Sequence, residues 1–184
     1  MQVNKLKTNN NNIYFLPPEI PGKIITLKLI SLDYTQEYFC MLSKTVQNMI
    51  NVSSPATLEN TKKFLQKRYN LYLKNKIIFY FIFDNKNNNL IGKIEIRNNK
   101  NKKGHLGSWI NENYWGSGRY KEALNLISKL YFFNTKTQFY TAQIHEENLR
   151  SLHAHLKYKF KLLKKFTLRD GRRYYNLVFY KKDL

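Results

Sequence analysis

The sequence predicts an α+β fold, an α/β arrangement in three layers, with a mostly antiparallel sheet of about seven strands and four helices. Three observations carry that expectation. The apolar period alternates along the chain between strand-like and helix-like, in the order strand, two helices, three hairpin-linked strands, helix, strand, helix and a final hairpin. The chain has 184 residues, 42% hydrophobic, with 14 Tyr and 12 Phe, enough apolar surface to fold without a disulfide or a structural metal. No internal repeat or change of composition marks a second domain.

Taken in order, residues 1–12 are Asn and Lys with almost nothing to bury and are expected to be disordered. They contain no apolar h-region, so they do not read as a secretory signal. "FLPPEIPG" (15–22), with three prolines and a glycine, completes an extended lead-in, so residues 1–22 are expected to be a flexible N-terminal segment. "KIITLKLI" (23–30) is β-branched and predicts a strand. Residues 31–50 carry Tyr38, Phe39, Leu42, Val46 and Met49 at helical spacing, with Ser31 or Asp33 as the cap and Cys40 as a small buried side chain within the helix. Ser54-Pro55 reads as an N-cap followed by proline at the first helical position, opening a basic amphipathic helix over about 56–73.

Residues 76–84, containing "IIFYFIF", and 89–97, "NLIGKIEIR", predict a hairpin around "NKNNN", with Gly92 marking a bulge. After a polar loop (98–104), "HLGSWIN" (105–111) is a further strand. Residues 117–133 form a helix with Ala123, Leu124, Ile127, Leu130 and Tyr131 on one stripe. "TQFYTAQI" (137–144) is a strand, 148 to about 157 a short helix, and 159–182 a hairpin around Asp170-Gly171.

The formal charge of +20 raises a nucleic-acid reading. Against it, the basic residues are mostly Lys in a chain also crowded with Asn and Ile, whereas recognition of phosphate and guanine leans on the planar fork of Arg. A solvated basic surface is the favoured reading. It still draws the protein toward anions, including ribosomes, acidic peptides and nucleotide phosphates. A single cysteine excludes an internal disulfide and fits a reducing cytoplasm. No run approaches the roughly 18 apolar residues of a membrane helix. The four histidines do not form a metal set, because no Cys neighbours them and no i, i+4 pair encloses a Glu.

One stretch carries chemistry. In "NENYWGSGRYKEAL" (111–124) a strand runs through two glycines into a helix. A helix start presents unpaired N–H groups and about half a positive charge, so it suits a phosphate. Glycine lets the oxygens approach the backbone. Arg119 and Lys121 in the first turn oppose the macrodipole, a placement that makes sense if an anion docks there. A plain strand-to-helix connection is the alternative. The stretch is neither a P-loop nor a full dinucleotide fingerprint.

Residues 104–160 resemble the GCN5-related N-acetyltransferase (GNAT) family, and within it the subgroup of ribosomal-protein N-terminal acetyltransferases. The resemblance rests on "LGSWINENYWGSGRYKEAL" (106–124) and "ENLRSLHAHLKYKF" (147–160) at the expected separation. It implies one N-acetyltransferase domain over 23–184, with a mixed, mostly antiparallel sheet whose strands 105–111 and 138–144 splay apart at the cofactor. It implies that acetyl-CoA is the co-substrate. Its pyrophosphate would lie on backbone N–H groups across Trp115, Gly116, Ser117, Gly118, Arg119 and Tyr120, and its pantetheine arm along Trp109, Ile110 and Asn111. Asn148 would bond the arm, cap the last helix, or do both. Two positions depart from the family pattern: Tyr120 stands where Ala or Gly is usual, and Lys159 where Gly precedes Phe160.

Acetyl transfer to an amine needs a base, a polarised thioester and a proton for the leaving sulfur. The family's strand Glu corresponds to His105, and its sulfur-protonating Tyr to His155, with Ser151 one turn earlier as second candidate. Glu95 is the alternative base, or else a cross-strand partner for Lys93 or Arg97. The acceptor wall, helices 32–50 and 56–73, is rich in Lys, Gln, Asn and Tyr, which suits an acidic or polar peptide N-terminus and repels polyamines. The implied function is acetylation of a primary amine, foremost a protein N-terminal amine, by a cytoplasmic monomer or homodimer. A small-amine acceptor and a longer acyl-CoA donor stay open. The alternative is a non-catalytic RNA- or ribosome-binding module on a decayed acetyltransferase scaffold.

Overall fold

The structure, a computed structural model, describes residues 14–50, 56–98 and 103–184. The elements are β1 (Glu19–Pro21), β2 (Ile25–Leu29), α1 (Thr35–Met41), α2 (Lys44–Met49), α3 (Leu58–Leu73), β3 (Ile77–Asp84), β4 (Leu90–Asn98), β5 (Gly104–Ile110), α4 (Arg119–Asn134), β6 (Phe139–His145), α5 (Leu149–Lys157), β7 (Lys161–Thr167) and β8 (Arg173–Tyr180). They form one eight-stranded sheet in the order β1-β2-β3-β4-β5-β6-β8-β7. Every neighbouring pair is antiparallel except β5 with β6.

The sheet is covered on both faces, which is why β3 reads as an unbroken apolar run: all eight of its residues are buried. Ile78, Tyr80 and Ile82 join a core with Ala123, Leu124, Ile127, Tyr131 and Phe132 of α4. The alternate residues Ile77, Phe79, Phe81 and Phe83 join a second core with Tyr38 of α1, Val46 of α2, and Leu65 and Tyr72 of α3. A fully buried side chain of this size contributes about 1.5–3 kcal/mol. The expected bulge is present: Ile82 pairs with Gly92 but Phe83 with Leu90. Gly92 has a second reason, since a Cβ there would collide with the Trp109 carbonyl of β5.

Four expectations are corrected. Residues 14–21 are not a loose lead-in. Glu19–Pro21 pairs with Thr26–Lys28 as an eighth strand, Pro17 O accepts a bond from the Tyr80 hydroxyl at 2.7 Å, and Tyr14 is buried. An edge strand tolerates proline because one side of its backbone needs no partner. The helix expected over 31–50 breaks at Leu42–Ser43, where the Ser43 hydroxyl accepts from the Val46 amide and starts α2; there are five helices, not four. Ser31 caps the short 3₁₀ turn before α1. Cys40 is exposed. The cap of α3 is Thr57, and Ser54-Pro55 lies outside the described residues.

Candidate active site

β5 and β6 are paired only at Gly104–Tyr140, His105–Thr141 and Leu106–Ala142. Beyond that point β5 stays paired with β4 through Ile110 and β6 with β8 through His145, so the two strands separate and leave an opening between them. A small cavity of about 150 Å³ lies on the α4 side, bounded by Ser108, Ile110, Trp115, Gly116, Gly118 and Tyr120. A larger one of about 640 Å³ lies against α1, α3 and β4. Ser108, Ser151 and His155 line both, so the cavities meet at the opening.

The glycine turn has the form an anion needs. Gly116 and Gly118 have φ of 72° and 81°, left-handed values, with Ser117 between them. A Cβ on Gly116 would meet nothing within 4 Å, so the turn faces open space. Among the described residues, the amides of Gly116, Ser117, Gly118, Arg119 and Tyr120 donate to no protein acceptor, and α4 begins without a side-chain cap. These free donors at a helix start fit the diphosphate of a coenzyme.

Arg119 is turned away from this cradle. Its Nε and Nη2 donate to Asp84 Oδ1 at 3.0 and 2.8 Å, neutralising a buried carboxylate, so only its backbone faces the turn. Glu122, also in the first turn, accepts the amides of Lys23, Ile24 and Ile25 at 2.6, 2.9 and 3.1 Å and ties the start of β2 to α4.

Tyr120 points inward. Its hydroxyl lies 2.8 Å from His155 Nε2 and 3.2 Å from Ser108 Oγ. His155 Nδ1 lies 2.7 Å from the Ser151 carbonyl, which can only accept, so Nδ1 carries the proton and Nε2 accepts from Tyr120. The Ser108 hydroxyl then donates to Tyr120. Burial holds His155 neutral, with its pKa pushed down to about 4, and pushes the Tyr120 phenol up. The two departures from the family pattern therefore have separate answers. Tyr120 becomes part of a buried hydrogen-bond chain, and Lys159 adopts φ 68°, the left-handed conformation that glycine takes without cost.

On the opposite face of β5, His105 Nδ1 is 3.4 Å from Thr141 Oγ1; burial and the nearby Arg97 lower its pKa to about 4. Glu95, opposite Gly107 in the ladder, is buried. It partners Lys93 and Arg97, and also Arg68 from α3.

The remaining expected residues hold the walls. Trp109 Nε1 donates to the Tyr38 hydroxyl at 3.1 Å, and Trp115 Nε1 to the Ile110 carbonyl at 2.7 Å. Ile110 is buried. Asn111 accepts from the Asn113 amide and donates to the Met41 carbonyl. Asn148 caps α5, accepting from the Ser151 amide, while its Nδ2 donates to the Met49 carbonyl at 2.9 Å. Residues the sequence reading passed over are Ser108, Arg68 and Arg150. Arg150 stacks 3.2 Å over the Trp115 ring beside the glycine turn. Its place in the first turn of α5, two residues after Asn148, is the signal that could have found it. Among the described residues no group of His, Cys, Asp or Glu is placed to hold a metal ion, and no helix is long and apolar enough to cross a membrane.

Residues 25–161 match the acetyltransferase (GNAT) domain family. No curated protein matches the chain in sequence. Solved structures match it in fold. The Salmonella typhimurium acetyltransferase that modifies the N-terminal serine of 50S ribosomal subunit protein L7/L12 is 16% identical, covers 88% of this chain and 98% of its own, and superposes with a TM-score of 0.78. RimL, the ribosomal L7/L12 α-N-protein acetyltransferase, in complex with coenzyme A, is 16% identical over 88% and 97% of the two chains, with a TM-score of 0.73. The microcin C7 self immunity acetyltransferase MccE, in complex with acetyl-CoA and AMP, is 19% identical over 86% and 93%, with a TM-score of 0.71. At such identities these structures speak for the fold, while the domain match covers most of the chain and the glycine turn with it. The chain belongs to the GNAT acetyltransferase family and is an acetyl-CoA-dependent N-acyltransferase.

Proposed function

We propose that the protein is a cytoplasmic enzyme that acetylates a primary amine, foremost the N-terminal α-amine of a protein. The observation that carries this reading is the opening between β5 and β6, with free amides at its α4 side and a larger cavity on its other side. Acetyl-CoA supplies the activated acyl group. The amides of Gly116 through Tyr120 hold its diphosphate, with Arg150 beside them, and β5 at Trp109, Ile110 and Asn111, beyond its last pair with β6, lies along its pantetheine arm. Asn148 stands at the end of α5 where both cavities meet.

The acceptor nitrogen bonds the acetyl carbon, the carbon–sulfur bond breaks, and two protons must be handled. His105, neutral at physiological pH, accepts the amine proton directly or through water; Glu95 is the alternative base. Tyr120 turns its hydroxyl from His155 Nε2 toward the sulfur and gives its proton to the leaving thiolate; the proton taken from the amine, returned through water, restores the phenol, so the amine's proton ends on the thiol. His155 and Ser151 act behind it, as the imidazole that orients the phenol and the carbonyl that fixes the imidazole tautomer.

Release of free coenzyme A thiol, measured over peptides beginning with Ser, Ala, Thr or Met, tests this. Acetylated peptide and thiol in equal amounts are expected for at least one of them. Failure of every amine acceptor, together with RNA binding that weakens steeply with salt, would favour the non-catalytic ribosome- or RNA-binding reading instead.

A further inference from the structure

The larger cavity carries an excess of positive charge around Glu95 for which proton abstraction from the amine has no need. Glu95 is 1% exposed. Its Oε1 lies 3.4 Å from Lys93 Nζ and 3.2 Å from Arg97 Nε, and its Oε2 3.2 Å from Arg68 Nε. One carboxylate thus faces three cations, and all four groups line the cavity. The ion pairs are poorly aligned: Arg68 Nε, Arg97 Nε and Glu95 Oε2 are buried and, among the described residues, make no hydrogen bond. Lys93 and Arg68 are largely withdrawn from water, while Arg97 is partly exposed; positive charge in excess of its counter-ion at such a site favours a further anion.

The cluster sits at the reacting end of the cavity. Gly107 is the first residue of β5 beyond its last pair with β6, and a Cβ there would stand 3.1 Å from Glu95 Oε1 and 3.4 Å from Lys93 Nζ. The missing side chain leaves the cations open to whatever enters beside Ser108. The Arg68 guanidinium lies over the Phe64 ring, 4.7 Å from its centroid, a cation–π contact that helps to position it. The cationic character continues outward. Lys62, Lys63 and Lys67 of the same helix and Lys74 just after it line a groove on its outer side, together with Glu59, which pairs with Lys63. A single small anion would use only the inner cluster, whereas an extended acidic segment would use both.

We propose that the acceptor is a peptide with an acidic side chain close behind its N-terminal amine, whose carboxylate docks between Arg68 and Arg97 while the amine reaches the opening at Ser108. Glu95 then serves as the counter-ion that keeps the cations in place. This rests on the N-terminal amine reading above.

The test is a set of matched peptides, Ser-Glu, Ser-Gln and Ser-Lys followed by one neutral tail, with free glutamate as a small acceptor. The expected result is a kcat/KM about tenfold higher for Ser-Glu than for Ser-Gln, with Ser-Lys lowest. Arg68→Gln and Arg97→Gln should each bring the Glu/Gln ratio toward one, with retained stabilisation by acetyl-CoA showing that the variant is folded. If neither variant folds, glutarate added to the wild-type protein decides, competing with Ser-Glu if the pocket is real. Equal rates for the three peptides, or a preference for Ser-Lys, would overturn the proposal while leaving peptide acetylation intact. Glutamate outpacing Ser-Glu would also overturn it, by placing the carboxylate on a small acceptor. If acetyl-CoA binds but no peptide is acetylated, the N-terminal amine reading itself fails.

Discussion

The Tyr120 hydroxyl and His155 Nε2 stand 2.8 Å apart, joining the helix that opens at the glycine turn to the last helix across the cofactor-side cavity. Because the Ser151 carbonyl fixes the proton on Nδ1, the imidazole can only accept from the phenol. This makes Tyr120 the proton donor of the reading above. Tyr120→Phe is expected to lower kcat by about 10²-fold or more with little change in the KM for acetyl-CoA. His155→Gln, acting through Tyr120, should lower kcat less. Steady-state kinetics with saturating peptide separates the two.

His155 also links stability to pH. Its pKa is about 4 in the folded protein and about 6.5 when unfolded. A depressed histidine favours the fold while it stays neutral, so the contribution is full above pH 6.5 and is lost as pH falls toward 4. The loss over that window is about 3 kcal/mol. Denaturant unfolding at several pH values should show stability declining from pH 6.5 downward, and His155→Gln should make that decline shallower, leaving the part that comes from His105, whose pKa is lowered in the same way.

The Arg119–Asp84 pair is predicted to be structural. Asp84 is 2% exposed, and among the described residues Arg119 supplies both of its side-chain bonds. Arg119→Met leaves a buried carboxylate unpaired and should cost about 3–5 kcal/mol in denaturant unfolding. Loss of coenzyme affinity with unchanged stability would instead place the Arg119 side chain in the cofactor site.

Lys159 sits at φ 68° ahead of Phe160. A non-glycine residue there costs roughly 1 kcal/mol. Lys159→Gly should therefore raise stability by about that amount, since the loss of its bond to the Asp183 carbonyl removes only an exposed contact. A lower melting temperature would contradict this.

Much of this could be read from residues in sequence order. The β-branched and aromatic run of β3, the alternation around Gly92 and the two glycines before α4 are local signals, and each appears where expected. What escaped was set by partners distant in sequence. β1 was hidden because prolines in 15–22 suggest a chain outside the sheet, while the edge position that tolerates them is a tertiary fact. The break at Ser43 was masked by apolar spacing that continues through it into α2. Tyr120 is on a helix in either case, but its inward turn depends on His155, 35 residues away. The contact between Arg68 and Glu95 joins α3 to β4, and nothing adjacent to either residue announces it.

The central claim is that the open amides of the glycine turn grip the diphosphate of acetyl-CoA. The most direct measurement is thermal unfolding with and without acetyl-CoA for the wild-type protein and Gly118→Asp, with circular dichroism showing that both are folded. A concentration of 100 times the dissociation constant should stabilise the wild type by about 2.7 kcal/mol. The variant, with a carboxylate at the diphosphate position, should show no shift. An unresponsive wild type, or an equal shift in both proteins, would contradict the claim.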